Sequence, residues 1–348
     1  MADLIKYFKG SFFVTIIGFI IAFFWGQQLH HQNGFLTVFI VFFLSILEVT
    51  LSFDNAVINA IKLEKMTEKW RHRFITWGIA IAVFGMRFLF PVIVVSAFSG
   101  LSLIGVTKLA IYDVDKYAYY LHLVHAPLVT FGGAFLLMLF LFYFFNPDKT
   151  THWLTGIEKP LSCCNKIKSI EVIICLLTIS ILQAHIPSEA RLTVILAGFT
   201  GIILFLVIDS VSNLLETIAE EKANLAGETA KLGFIGFLYL ELIDASFSLD
   251  GVLGAFAISK DIIIITIGLA IGAMFVRSLT ILMVEKRTLK QYLYLEHGAH
   301  WAIGFLAIIM FISTIHEVPE VVTGMVGLVI VGASFISSIV HNKKNKVN

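Results

Sequence analysis

The chain has 348 residues, of which 58% are hydrophobic and 14% are charged, and its formal net charge is +1. This is more apolar surface than the core of a soluble protein can bury, so the composition predicts a polytopic membrane protein. The near-neutral charge argues against a nucleic-acid partner, and three cysteines are too few for a disulfide framework.

Ten apolar stretches are candidates for membrane-spanning helices. With the N-terminus inside, 19 of the 25 lysines and arginines fall in segments on the inner side and four fall on the outer side. This bias follows the positive-inside rule and predicts a plasma-membrane protein with both termini in the cytoplasm. The stretch 99–119 is expected to be a longer outer connection. The spans are expected at about 10–26, 34–61, 74–98, 123–145, 169–184, 192–214, 233–258, 262–284, 299–315 and 321–340.

Three stretches of the first half recur in the same order in the second half. The acidic stretches lie in the second and seventh spans, which are five apart and therefore cross the membrane in opposite senses. An inverted repeat of this kind is typical of secondary transporters that bind substrate between the two copies. The sequence thus predicts one transporter domain, with repeat A at 34–145, connecting helices at 146–232, repeat B at 233–315 and a last helix at 321–340. The matched pairs are Glu48–Ala56 with Asp244–Val252, Gly78–Leu89 with Gly268–Leu279, and Tyr120–His125 with Tyr292–His297.

The two acidic stretches carry oxygen ligands inside otherwise apolar helices. Glu48, Ser52 and Asn55 share one stripe of an ideal helix, whereas Asp54 lies about 120° from Glu48. Asp54 therefore faces a different neighbour, or the helix opens near Ser52. An all-oxygen site suits Mn²⁺, Mg²⁺ or Ca²⁺, and protons could exchange with the metal on buried carboxylates. The expected metal ligands are Glu48, Ser52, Asp54, Asn55, Glu241, Asp244, Ser248 and Asp250, with Arg87 and Arg277 as counter-ions.

A structural role is the alternative for these acids and arginines, because buried ion pairs can serve only to fix helix packing. The chain would then be a non-transporting membrane scaffold or stress-response protein whose cytoplasmic loops, 62–73 and 146–168, recruit other proteins. The sequence has no GxSxG or HExxH signature, so we do not expect an enzyme. His125 and His297 are expected to pack at the membrane interface rather than to bind metal.

The motif EVTLSFDNA, with its counterpart DASFSLDGV, resembles the TerC family of integral membrane proteins. This family is named for tellurium resistance and is placed in the lysine-exporter superfamily. The resemblance covers spans two to four and seven to nine. It implies export of Mn²⁺ from the cytoplasm. We expect transport by alternating access and no prosthetic group. The chain departs from the family pattern at Gly251, where Ser is common. The implied ligands are Glu48, Asp54, Asn55, Asp244 and Asp250.

Overall fold

The computed structural model shows a chain built from α-helices. Among the residues that it describes, no strand occurs, and residues 236–238, 240, 241, 244, 255 and 258 are helical in addition to the named helices. The described residues are 2–29, 33–81, 85, 89–147, 149–163, 167–226, 233, 236–238, 240–241, 244, 255, 258–259, 261–286, 288–316 and 318–347. The helices are α1 (Ala2–Leu29), α2 (Gly34–Leu51), α3 (Phe53–Lys65), α4 (Glu68–Ala80), α5 (Phe90–Ser99), α6 (Leu103–Tyr112), α7 (Val114–Phe144), α8 (Thr155–Cys163), α9 (Ile170–Leu182), α10 (Ser188–Ala226), α11 (Ile262–Glu285), α12 (Thr288–Gln291), α13 (Leu295–Ser313) and α14 (Glu320–Val347).

Seven helices in the described part of the chain are long and apolar enough to cross a membrane. The prediction of an all-α, multi-pass membrane protein is therefore confirmed. The number of ten spans and the inverted repeat stay predictions, because most of 233–258 and part of 74–98 lie outside the described residues. The seven segments are Lys6–Gln27, Gly34–Leu51, Asp115–Phe144, Ser188–Val211, Ile262–Glu285, Leu295–Ser313 and Val322–Lys344.

The predicted outer connection at 99–119 contains a helix. Ser102 caps α6, since its Oγ accepts the backbone N–H of Gly105 at 3.1 Å. Val106 and Ala110 of this helix are fully buried. The connection is therefore a folded element that packs against α5 and α7.

The second predicted span is divided at Ser52. Helix α2 ends at Leu51 and α3 begins at Phe53, and Ser52 has φ −103° and ψ 15°, which lies outside the helical range. The Ser52 hydroxyl donates to Glu48 Oε1 at 2.9 Å. The backbone N–H of Asn55 donates to Asp54 Oδ1 at 2.9 Å, so side chains of the motif satisfy groups at the break.

Glycines bring α11 close to the acidic stretch on α2. Helix α11 packs against α2 and α3, with α1 in contact with both α2 and α11. A Cβ added at Gly268 would overlap the Cβ of Leu44, and one added at Gly272 would lie 2.5 Å from the Cβ of Glu48. The backbone of α11 can therefore approach α2 only because these two positions lack side chains.

Gly268→Ala is expected to destabilise the fold, because the added methyl group meets Leu44 and lies 3.2 Å from the backbone oxygen of Val41. Overpacking of this kind costs about 1–3 kcal/mol. The apparent melting temperature of the full-length protein in detergent measures the effect. Gly332→Ala is the control, since a Cβ there meets nothing within 4 Å. An equal loss in both variants would contradict the close contact of α2 and α11.

Candidate functional site

The two matched acidic stretches meet at a hydrogen bond between Asn55 and Asp244. Asn55 lies in the first turn of α3, and Asp244 is a helical residue that precedes α11 in the chain. Asn55 Nδ2 donates to Asp244 Oδ1 at 2.5 Å, and the two residues are 1% and 8% exposed. The fold thus joins polar groups that are 189 residues apart in the sequence.

Glu48 is buried between its own helix and α11. It is 1% exposed and accepts the hydrogen bond from Ser52. Gly272 of α11 lies opposite its side chain, where any larger residue would collide with Glu48 Cβ and Cγ. Glu48 and Ser52 therefore form one hydrogen-bonded unit at the break between α2 and α3.

Asp54 faces a different neighbour. It is 4% exposed, and a Cβ added at Gly327 of α14 would lie 3.3 Å from its Oδ2. The helical wheel left two explanations for the position of Asp54, and the structure contains elements of both: the chain breaks at Ser52, and Asp54 lies against α14.

Arg277 lies beside Glu241 and also contacts Phe74 of α4. Arg277 Nη2 is 3.9 Å from Glu241 Oε1 and donates to the backbone oxygen of Phe74 at 2.7 Å. The guanidinium carbon lies 4.0 Å from the centroid of the Phe74 ring. Gly78 of α4 makes room for this pair, since a Cβ there would overlap Arg277 and lie 2.7 Å from Glu241 Oε1.

Three predicted site residues, Arg87, Ser248 and Asp250, lie outside the described residues, as does Gly251. Within the described ranges, no group of three or more histidines, cysteines and carboxylates is arranged to hold a metal ion. The assignment of metal ligands therefore stays a prediction.

Asn59 was not among the predicted site residues, although it continues the polar stripe. It follows Glu48 by eleven residues and Asn55 by four, so helical periodicity places it on the same face. It is 4% exposed, and its Oδ1 has no hydrogen-bond partner among the residues described, nor has that of Asn55. A small cavity lies beside it, lined by Asn59, Phe74, Asp244, Arg277 and Thr280 among others.

A family model described as a protein of unknown function (DUF475) matches residues 53–345. The chain is also similar to the uncharacterized membrane protein YceF of Bacillus subtilis (strain 168), with 32% identity over 111 residues. That alignment covers 31% of this chain and 41% of YceF, so the chain spans about two fifths of the length of this relative. No solved structure matches the chain.

A second buried polar cluster surrounds Glu158 of α8, which is fully buried. Its Oε2 pairs with His297 Nδ1 at 2.9 Å and accepts the Trp153 backbone N–H at 3.1 Å. Its Oε1 accepts from Trp301 Nε1 at 3.0 Å and from the Leu154 backbone N–H at 3.2 Å. His297 thus ties α13 to α8.

The charge of Glu158 is stabilised by these donors. Burial acts to raise the pKa of Glu158, but the hydrogen bonds from His297, Trp301 and Leu154 outweigh it and lower the pKa to about 2. The ordinary value is 4.5, so the carboxylate contributes stability above that pH and loses it as the pH falls towards 2. Lys149 and His152, at 3.5 and 3.6 Å from Oε2, face the same carboxylate.

Glu158→Gln is expected to lower the melting temperature at neutral pH, by an amount that corresponds to about 3 kcal/mol, because a buried charge pair is broken. The difference between wild type and the variant should shrink as the pH falls from 4.5 towards 2, since the wild-type carboxylate then becomes protonated. Melting temperatures measured in detergent across this pH range test both points. Glu189→Gln, on an exposed carboxylate of α10, is the control. A difference that is the same at every pH would contradict the lowered pKa.

Proposed function

We propose a function for this chain on the premise that it belongs to the DUF475 family and is a multi-pass, all-α membrane protein. We infer that it is a secondary transporter that moves a divalent cation by alternating access. The contact of Asn55 with Asp244 carries this proposal, because it joins buried oxygen ligands from two distant stretches of an apolar bundle. Hydrocarbon offers such groups no partner, and a cation that passes between them would supply one.

Mn²⁺ is the proposed substrate, and export from the cytoplasm is the proposed direction. Carboxylate, amide and hydroxyl oxygens favour hard or borderline divalent ions over Cu⁺. The resemblance of the two motifs to the TerC family supports Mn²⁺ within that class. We propose plasma-membrane localisation with both termini in the cytoplasm. The proposed ligands are the eight residues Glu48, Ser52, Asp54, Asn55, Glu241, Asp244, Ser248 and Asp250.

The break at Ser52 supports alternating access. Transporters with inverted repeats commonly bind their substrates where membrane helices are interrupted, since the interruption frees backbone groups and separates two rigid pieces. Helices α2 and α3 are two such pieces, and Asn55 lies just after the junction. A change in the angle between them would alter the position of Asn55 without moving Glu48.

Proton exchange is the proposed energy coupling. A buried carboxylate such as Asp54 can be neutralised either by a bound cation or by a proton, because both remove the cost of its charge. An ion that leaves the site would then be replaced by protons, and the two fluxes would run in opposite directions.

Asp54→Asn and Asp244→Asn are each expected to abolish Mn²⁺ transport and to leave membrane insertion intact, because Asn keeps the shape of the side chain and removes its charge. Mn²⁺ flux in proteoliposomes of purified protein, followed with a metal-sensitive dye, is the measurement. Glu189→Gln makes the same kind of change on an exposed carboxylate and should keep the wild-type rate. Normal transport in both Asp variants would refute a direct role.

A non-transporting membrane scaffold is the second candidate function. The ion pair of Arg277 with Glu241 is the observation that favours it, because each residue partly neutralises the other inside the bundle. In this case the buried acids would fix the packing of helices. The segments 62–73 and 146–168, which were predicted as loops but include parts of α3, α4 and α8, would bind other proteins.

A charge-removal pair separates the two candidates. Arg277→Gln leaves Glu241 buried beside a neutral side chain and is expected to cost about 3–5 kcal/mol of stability. The double variant Arg277→Gln/Glu241→Gln removes both charges and should recover most of that loss in melting temperature. A transporter that needs Glu241 will lose Mn²⁺ flux in this stable double variant. A scaffold will show no Mn²⁺ flux in any variant, wild type included.

A further inference from the structure

We propose that Asn59 is a further ligand for the transported cation and that it forms, with Asp244, a second binding position on the path of the ion. We call the pair Asn59 and Asp244, with the cavity that they line, the inner station. The ligand that we propose for the inner station is a divalent metal ion. The cavity leaves room for at most about one water molecule beside this ion. Asn59 can have this role only if the proposed transport function holds.

The side-chain oxygen of Asn59 lacks a hydrogen-bond donor. Its Oδ1 is inaccessible to solvent and accepts no hydrogen bond from the described residues. The residue is 4% exposed, so bulk water does not compensate it. A buried acceptor without a donor is destabilising, and an exchangeable ligand that visits the site would offset this cost.

The cavity beside Asn59 has the size and charge for a cation. It has room for about one water molecule, which is also about the room that a dehydrated metal ion needs. Arg277 lines the cavity, but Glu241 Oε1 lies 3.9 Å from Arg277 Nη2 and offsets the charge of the guanidinium group. Glu241 is not part of the lining, but Asp244, Arg277 and Glu241 together carry a formal charge of −1 beside the cavity.

The position of Asn59 extends the path towards one side of the membrane. Helix α3 runs from Asn55 towards the basic segment 62–73, so Asn59 lies one turn, about 6 Å, nearer to that segment. The matched position in the second copy is Ala255, which is fully buried in an apolar cluster with Val41 and Leu44. Polar side chains therefore continue beyond the contact of Asn55 with Asp244 on α3, whereas the matched position, Ala255, is apolar.

An amide oxygen suits a position of transfer. It can replace one water in the shell of a metal ion without adding negative charge, so it binds the ion more weakly than a carboxylate does. Asn59 would therefore accept a partly hydrated ion from the basic side, or release it there, while Asp244 remains a ligand throughout. This makes Asn59 a determinant of the transport rate.

The test compares Asn59→Leu and Asn59→Asp with wild type in the full-length purified protein. The melting temperature is measured with and without MnCl₂, and Mn²⁺ flux is measured in proteoliposomes. Leu has a similar size and removes the unpartnered amide oxygen, so the metal-free protein should be as stable as wild type or more stable. The rise in melting temperature with Mn²⁺ should largely disappear, and flux should fall about tenfold or more. Asn59→Asp should show a larger rise than wild type.

Asn342→Leu is the control, because it makes the same change on a half-buried amide near the end of α14, whose Nδ2 donates to the Gln291 backbone oxygen. A wild-type response to Mn²⁺ in Asn59→Leu would overturn the inner station. If Asn59→Leu does not fold, Asn59→Asp is the test. A rise in its melting temperature with Mn²⁺ that is equal to or smaller than that of wild type would overturn the inner station. If Asp244→Asn loses the rise in melting temperature with Mn²⁺ and the Asn59 variants keep the wild-type response, Asn59 is not a ligand, and the proposed transport function is still supported. A wild-type protein that neither binds nor moves Mn²⁺ would remove both.

Discussion

Polar groups inside an apolar helical bundle must find their partners within the protein, and the hydrogen bond between Asn55 and Asp244 is where this constraint joins the two matched stretches. Several features of the fold serve that contact. The backbone leaves the helical range at Ser52, so α3 begins as a separate helix directly before Asn55. Gly272 lets the backbone of α11 lie against Glu48, one turn before the break. Local conformation and helix packing therefore both converge on one small polar region.

The two buried polar clusters differ in how completely their oxygens are used. The Glu158 carboxylate is fully buried and receives donors on both oxygens, from two backbone N–H groups and from the rings of His297 and Trp301. Such a carboxylate is saturated and holds helices together. The amide oxygens of Asn55 and Asn59 accept no hydrogen bond from any described residue. A buried acceptor without a donor suits a ligand that binds and leaves. The number of donors on each buried oxygen therefore distinguishes the structural cluster from the candidate site.

Composition and hydrophobic periodicity were sufficient for the fold class, and the repeat was sufficient to select Glu48, Asn55 and Asp244 as residues to follow. The break at Ser52 was one of two options that the helical wheel left open, because side-chain angles on an ideal helix cannot decide whether the backbone stays regular. Asn59 was not predicted because the position that the motif alignment matches to it, Ala255, is apolar. The role of Glu158 depends on contacts with α13, more than 130 residues away, and no local pattern in the sequence encodes such a distance.

The glycine at position 327 changes how the last helix should be regarded. Helix α14 packs against α2, α3 and α13, and its backbone at Gly327 lies next to the Asp54 carboxylate. It is therefore one wall of the polar region rather than an appended anchor. A chain shortened before this residue would uncover the Asp54 carboxylate on this side, so protein engineering that alters the C-terminus, such as fusion to a reporter, has to keep the helix intact through its contact with Asp54.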